Sequence, residues 1–257
     1  MEITFYKYQG TGNDFVMIDD RSESFDVSDL KLISKLCDRK FGIGADGLIL
    51  IRDHVGYDFE MIYFNADGTQ SMCGNGARCA VAFSAFLGIV KKKTKFLAID
   101  GPHEASIKEG LVQLLMGDVQ GIEEKAEDFF VNTGSPHHIR LVENVEAYPV
   151  FAEGKNIRYD NSYSPAGTNV NFVEQVAADE IFVRTYERGV ENETLSCGTG
   201  VTAAALVFGK DRNSAEIKIN TLGGKLSVKF TSKANGGFTD IWLIGPAQQV
   251  FSGKINI

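Results

Sequence analysis

Apolar positions along the chain fall into short runs separated by polar turns, with two longer stretches that are apolar almost all the way round. Phe15-Val16-Met17-Ile18 follows a glycine-rich turn and predicts a strand. Asp29 to Arg39 carries apolar residues at helical spacing, with Ser28 as the expected N-cap and Cys37 on the inner face. Leu48 to Ile51 and Phe59 to Phe64 read as buried strands. Ala77 to Val90 has no polar face, so the pattern predicts a helix enclosed by other elements. Lys91-Lys92-Lys93 is expected to close that helix, where positive charge suits the C-terminal end of the dipole. Phe182 to Tyr186 reads as a strand and Gly200 to Phe208 as a second enclosed helix, rich in alanine. Strand-like runs follow at Glu216 to Ile219, Lys225 to Phe230 and Ile241 to Ile244. Alternating strands and helices of this kind indicate an α/β chain.

Composition narrows the class. The 257 residues are enough for two domains or one large one, and 44% apolar with 23% charged residues supports a packed core. Glycine, at 27 residues, exceeds its usual share of roughly 7% and signals tight turns and close backbone approaches. A net charge of -8 and a pI near 5.1 argue against a general nucleic-acid binder. No apolar run reaches the roughly 18 residues of a membrane span, and Met1-Glu2-Ile3-Thr4 lacks the features of a signal peptide. The four cysteines, Cys37, Cys73, Cys79 and Cys197, show no C-x-x-C spacing, so a zinc ribbon or thioredoxin-type site is not expected. Reduced thiols in a cytoplasmic, reducing compartment are the simplest reading. Cys37 and Cys79 fall within apolar helices and read as core.

The chain contains an internal repeat. Cys73-Gly74-Asn75-Gly76 opens the first enclosed helix, and Cys197-Gly198-Thr199-Gly200 opens the second. Gly10-Thr11-Gly12-Asn13 precedes the first cysteine by 63 residues, and Gly134-Ser135-Pro136-His137 precedes the second by the same 63. Between them, Gly42 to Gly47 matches Gly167 to Phe172 within one residue of that register, and a tyrosine precedes each cysteine, Tyr63 and Tyr186. An offset near 124 is too long for a stacked array and indicates a duplicated domain. The glycine-containing acidic region from Gly110 to Asp128 is the expected boundary. This places one domain at 1–116, with 247–257 returning to it, and the other at 117–246.

A cysteine at the mouth of a helix meets unpaired N–H groups and the positive end of the helix dipole, which favour thiolate. The same N–H groups bind carboxylates, and the flanking glycines admit a ligand close to the backbone. Two such cysteines at matching places in a duplicated chain would stand on opposite sides of a shared cleft if the halves are related by a pseudo-two-fold. That is the arrangement needed to invert a stereocentre: one thiolate takes a proton from one face and the other thiol returns one to the opposite face.

The blocks Gly10-Thr11-Gly12-Asn13-Asp14-Phe15, Phe64-Asn65-Ala66-Asp67-Gly68, Met72-Cys73-Gly74-Asn75-Gly76-Ala77-Arg78-Cys79, Tyr186-Glu187-Arg188-Gly189 and Ser196-Cys197-Gly198-Thr199-Gly200 resemble diaminopimelate epimerase, in family order and over nearly the whole chain. The resemblance implies two pseudo-symmetric domains, each a mixed β-sheet wrapped around a central hydrophobic helix. It implies interconversion of LL- and meso-diaminopimelate, in lysine and cell-wall precursor biosynthesis, without pyridoxal phosphate, metal or nucleotide. Cys73 and Cys197 match the acid/base pair, and His137 matches a histidine that tunes their ionisation. Asn13, Asn65 and Asn169 match substrate-binding asparagines. Gly74-Asn75 and Gly198-Thr199 match the cradles for the α-carboxylate. Glu187 matches the acid facing the α-amino group, and Arg188 the cation on the distal carboxylate, a role that suits a bidentate guanidinium. His54, His103 and His138 are expected to be ordinary side chains. The expected partner is the small-molecule substrate alone, with no nucleic acid or membrane, and a homodimer is left open.

The chain departs from the family pattern in three places. Ser135 stands where many members have asparagine, Gly47 where some have glutamine, and Val190-Glu191-Asn192-Glu193 is a longer acidic loop. Two other readings stay open from the sequence. One is another racemase or isomerase of the same fold, such as a proline or hydroxyproline racemase. The other is a thiol redox sensor.

Overall fold

The computed structural model describes residues 2–256. Met1 of the opening tetrapeptide and Ile257 at the end of the returning segment lie outside the described residues. The chain divides into two compact units, Met1–Leu114 with Gly245–Ile257, and Leu115–Ile244.

The first unit opens on an antiparallel pair, β1 (Glu2–Gly10) and β2 (Asn13–Asp19). Helix α1 (Leu30–Cys37) follows, then β3 (Gly47–Arg52), parallel to β2, and β4 (Phe59–Asn65), antiparallel to β3. Helix α2 (Gly74–Phe86) leads into β5 (Lys93–Ala98), parallel to β4, and then β6 (Gly101–Lys108) and β7 (Leu111–Leu115) meander antiparallel. The second unit runs through β8 (Glu123–Lys125), β9 (Asp128–Asn132) and β10 (Pro136–Leu141). Helix α3 (Val150–Arg158) then precedes the hairpin of β11 (Asn169–Ala177) and β12 (Glu180–Glu187). A short β13 (Asn192–Thr194), helix α4 (Gly198–Phe208) and the meander of β14 (Ser214–Thr221), β15 (Gly224–Ser232) and β16 (Phe238–Gly245) complete it. The last strand, β17 (Gln248–Asn256), returns to pair antiparallel with β1.

The two units repeat one plan. An antiparallel pair, a parallel neighbour, an antiparallel partner, a buried helix and a three-stranded meander recur in the same order. Phe15 faces Gly47 in the first unit and Ile139 faces Asn171 in the second, each 124 positions after its counterpart. The common interval from glycine turn to cysteine hides a compensation. From Gly47 to its strand partner Asn65 is 18 positions, but from Asn171 to its partner Thr185 is 14. The acidic loop restores the missing four before Cys197. Tyr63 and Tyr186 are therefore not equivalent: Tyr63 faces Ile49, whereas Tyr186 faces Val170.

Both central helices are enclosed as their composition predicts. In α2, Ala77, Cys79, Ala80, Val81 and Phe83 are fully buried, and in α4 so are Val201 to Leu206. A helix that presents no polar face gains hydrophobic free energy only when the sheet surrounds it. Three local expectations are corrected. Helix α1 is capped by Asp29, whose carboxylate accepts from the Leu32 amide at 2.9 Å, one residue later than Ser28. Helix α2 begins three residues earlier than its apolar run, because Cys73 takes the cap and Gly74-Asn75-Gly76 forms the first turn. It ends at Phe86, so the lysine run does not close it and Lys93 instead opens β5.

Candidate active site

In the first unit, Cys73 is the N-cap of α2 with extended backbone (φ -133°, ψ 117°), and its sulfur accepts from the Gly76 amide at 3.5 Å. Asn13, at the start of β2, reaches the same sulfur: the Cys73 thiol donates to Asn13 Oδ1 at 3.4 Å, and Asn75 Nδ2 donates to that oxygen at 3.3 Å. The other end of the Asn13 amide is fixed, since its Nδ2 donates to Asp46 Oδ2 at 2.6 Å. Asp46 also accepts from Arg39 at 2.7 Å. Although burial opposes ionisation of Asp14, hydrogen bonds from Arg39 and Lys7 hold its carboxyl well below the usual range.

Arg78, one turn into α2, is completely buried. Its guanidinium donates to Thr11 Oγ1 at 3.3 Å and to the Gly74 carbonyl at 3.5 Å. It forms no ion pair with a carboxylate among the described residues, and burial pushes its pKa down while nearby Cys79 and Cys73 oppose that shift. The Cys79 thiol, also buried, is pushed up to about 12, so it stays neutral.

Asn65 sits elsewhere in this unit's network. Its Oδ1 accepts from Tyr63 at 2.8 Å, and its Nδ2 donates to Thr69 Oγ1 and Ser71 within its own loop. Gly47 leaves no room for a side chain: a Cβ there would stand 2.4 Å from the Tyr63 ring and 2.5 Å from the Phe64 carbonyl.

In the second unit, Cys197 is the N-cap of α4, again extended (φ -118°, ψ 113°) and buried. Its sulfur lies 3.5 Å from the Thr199 hydroxyl. That hydroxyl is 2.9 Å from Nε2 of His137, which β10 presents from beneath the helix. Burial, and then the positive charge of Arg188, push the His137 pKa down to about 3, so the ring is neutral. His137 therefore approaches the sulfur through Thr199. Behind the ring, Asn171 Nδ2 lies 3.1 Å from His137 Nδ1 and donates to the His138 carbonyl at 3.1 Å.

A second cluster gathers Ser135, Asn169 and Arg188. Asn169 Nδ2 donates to Ser135 Oγ and to the Pro136 carbonyl, both at 2.9 Å, and its Oδ1 accepts from the Arg188 backbone amide at 2.9 Å. Asn169 thus ties two loops together. The Arg188 guanidinium donates to the Ala166 carbonyl at 3.4 Å. Glu187 accepts from Thr194 at 2.9 Å. The acidic loop is held by neighbouring elements: Glu191 by Arg158 and Tyr159 at the end of α3, and Glu193 by Arg184 of β12. His138 contacts Tyr163 at 2.8 Å, away from the thiol chain.

Asp46, Arg78 and Asn171 escaped the sequence reading. Asp46 and Arg78 sit inside the quoted motifs, where a charge reads as solvated surface. Asn171 could have been found by extending the 124-residue offset from Gly47. Among the described residues, no cluster of three or more histidine, cysteine, aspartate or glutamate side chains is placed to hold a metal ion, and no helix is long and apolar enough to cross a membrane.

The sequence model of the family described as diaminopimelate epimerase matches residues 5–122 and 129–250. The chain belongs to the diaminopimelate epimerase family. A diaminopimelate epimerase of Flavobacterium psychrophilum is 52% identical over 255 residues, covering 97% of this chain and 99% of the relative. One from Aquifex aeolicus is 41% identical, covering 98% and 97%. Among solved structures, a phenazine biosynthesis protein of the PhzF family from Bacillus anthracis superposes with a TM-score of 0.79 at 14% identity, covering all of both chains. A hydroxyproline epimerase from Agrobacterium vitis superposes with a TM-score of 0.70 at 13% identity, covering 99% of this chain and 92% of that one. At these identities the likeness of this chain to the two solved structures is one of fold alone.

Proposed function

We propose that the protein interconverts LL- and meso-diaminopimelate by a two-base mechanism in which Cys73 and Cys197 act on opposite faces of one α-carbon. The observation that carries this reading is that each unit opens its buried helix on an N-cap cysteine. The helix N-terminus favours the thiolate and binds the substrate α-carboxylate through backbone amides, at Gly74-Asn75 in one unit and Gly198-Thr199 in the other. The carboxylate so held accepts negative charge as the α-proton leaves, which lowers the barrier to the enolate-like state. One thiolate removes the proton, the other thiol delivers one, and the two protonation states exchange on the reverse reaction. The chemistry uses no cofactor.

Arg188 supports recognition of the distal carboxylate, with Asn169 fixing its backbone. Glu187 meets the α-ammonium group. Asn65 and Ser135 complete the polar lining. On this reading the two units are N- and C-terminal epimerase domains, and the lack of C-x-x-C spacing among the four cysteines supports a reducing, cytoplasmic compartment.

In deuterated water the product gains deuterium at one α-carbon without added cofactor. Cys73→Ala and Cys197→Ala each reduce epimerisation by at least about a hundredfold, the usual scale of a lost acid or base. Full activity in either variant overturns the two-base reading. Activity on proline with none on diaminopimelate moves the protein to another racemase class.

A further inference from the structure

We propose that Asn171 is a positioning residue that fixes the direction of a hydrogen-bond chain, His137 to Thr199 to Cys197, so that it donates towards the sulfur. The inference rests on Cys197 being one of the two bases. Its starting point is the Asn171 amide, whose orientation follows from its neighbours. The His138 backbone carbonyl, 3.1 Å from Nδ2, can only accept, and the Thr185 hydroxyl at 2.9 Å supplies a donor to Oδ1. The nitrogen therefore stands where it does, and its second proton points at His137 Nδ1, 3.1 Å away. A ring nitrogen that accepts a hydrogen bond carries no proton, so the neutral imidazole has its proton on Nε2. Nε2 then donates to Thr199 Oγ1 at 2.9 Å. The Thr199 hydroxyl has one proton of its own, and Cys197 Sγ lies 3.5 Å away to receive it.

Burial first, and then the positive charge of Arg188, oppose protonation of the His137 ring, which leaves Nδ1 able to accept from Asn171. Space for Asn171 is provided by Gly200 in the first turn of α4: a Cβ there would stand 2.3 Å from Asn171 Oδ1. Asn171, His137 and Cys197 are buried and Thr199 is half-buried, so water does not replace the Asn171–His137 link at low cost. A hydroxyl donating to sulfur stabilises the thiolate over the thiol. Cys197 is thereby prepared as a base. Asn171 and Thr185 do this without touching substrate.

Two measurements test the chain. Proton–nitrogen correlation NMR of the histidine rings in the unaltered protein reads the tautomer directly. Neutral His137 with its proton on Nε2 is expected from about pH 7 down to about pH 5. A proton on Nδ1, or a charged ring in that range, overturns the proposal whether or not Cys197 is catalytic. The second measurement follows the pH dependence of Cys197 alkylation by iodoacetamide in a Cys73→Ala background, which leaves one site thiol to titrate. Asn171→Asp places a second acceptor beside Nδ1, moves the ring proton there and turns Thr199 away from the sulfur. The alkylation midpoint then rises by about one pH unit, a roughly tenfold slower reaction near neutrality. Thr199→Val gives the same rise with the amide intact, and Thr199→Ser restores the low midpoint. An unchanged midpoint in folded Asn171→Asp or Thr199→Val overturns the proposal. Loss of epimerisation in Cys197→Ala is read separately and tests the two-base mechanism alone.

Discussion

The amide nitrogen of Asn13 donates to the carboxylate of Asp46 at 2.6 Å, and this turns the Asn13 carbonyl towards Cys73. A carboxylate oxygen without a proton only accepts, so this contact fixes the orientation of the amide. Asn13 occupies the place in the first unit that His137 occupies 124 residues later. The duplicated plan thus sets an acceptor against one sulfur and a donor chain against the other. Asp46→Asn frees the Asn13 amide to turn. The expected result is a fall in kcat of about fivefold to tenfold, the scale of one net hydrogen bond. Steady-state epimerisation kinetics check this, and an unchanged kcat shows that the amide's direction is immaterial.

Arg78 is a buried cation without a carboxylate partner among the described residues, held by two long hydrogen bonds. Burial of such a charge is unfavourable, and an apolar side chain of similar length relieves it. Arg78→Met is expected to be at least as stable as the parent, by up to about 2 kcal/mol in urea unfolding. Turnover is expected to fall, because the charge acts on Cys73. A loss of stability with no loss of activity contradicts both parts.

The neutral state of His137 gives the fold a pH dependence. Its folded pKa is pushed down to about 3, against an ordinary value of 6.5. Between those values the unfolded chain binds the proton and the folded chain does not. Stability is therefore fully present above the ordinary value and is lost as pH falls below it, by up to about 1.4 kcal/mol per pH unit. His138, also lowered by burial, adds in the same direction. Comparing His137→Asn with the parent isolates the first contribution. Between about pH 6 and pH 5 the variant should show a shallower slope in chemical unfolding. Equal slopes mean that His137 is protonated in the folded protein.

Gly47 has no room for a side chain, and its neighbours are the reason. The Tyr63 ring and the Phe64 carbonyl occupy the position of its missing Cβ. Gly47→Ala is expected to lose about 1–3 kcal/mol by forcing the β3–β4 pair apart. A thermal melt decides, and a neutral result shows that the strand yields.

The enclosed helices were legible because each is a long apolar run with no polar face, and the paired cysteines were legible because the duplication repeats their motif. Strand β1 was not read, since Lys7 breaks its alternation. The side chain is nevertheless buried, its ammonium 2.7 Å from Asp14. Tyr63 and Tyr186 each precede one of the paired cysteines, and the strand register separates them. Equal spacing concealed a shorter hairpin offset by a longer loop. Asn169 was expected on the substrate, and its three hydrogen bonds show how fully the loops of the second unit use it.

From the order of residues alone came the duplicated α/β plan, the family and the two helix-opening thiols, because these depend on local pattern and on motifs a few residues long. The fold alone decided which group donates and which accepts. Asp46 turns Asn13, and Asn171 turns His137, across 33 and 34 residues of chain. A hydrogen bond's direction is set by the partners that packing brings within reach, and strand pairing chose those partners.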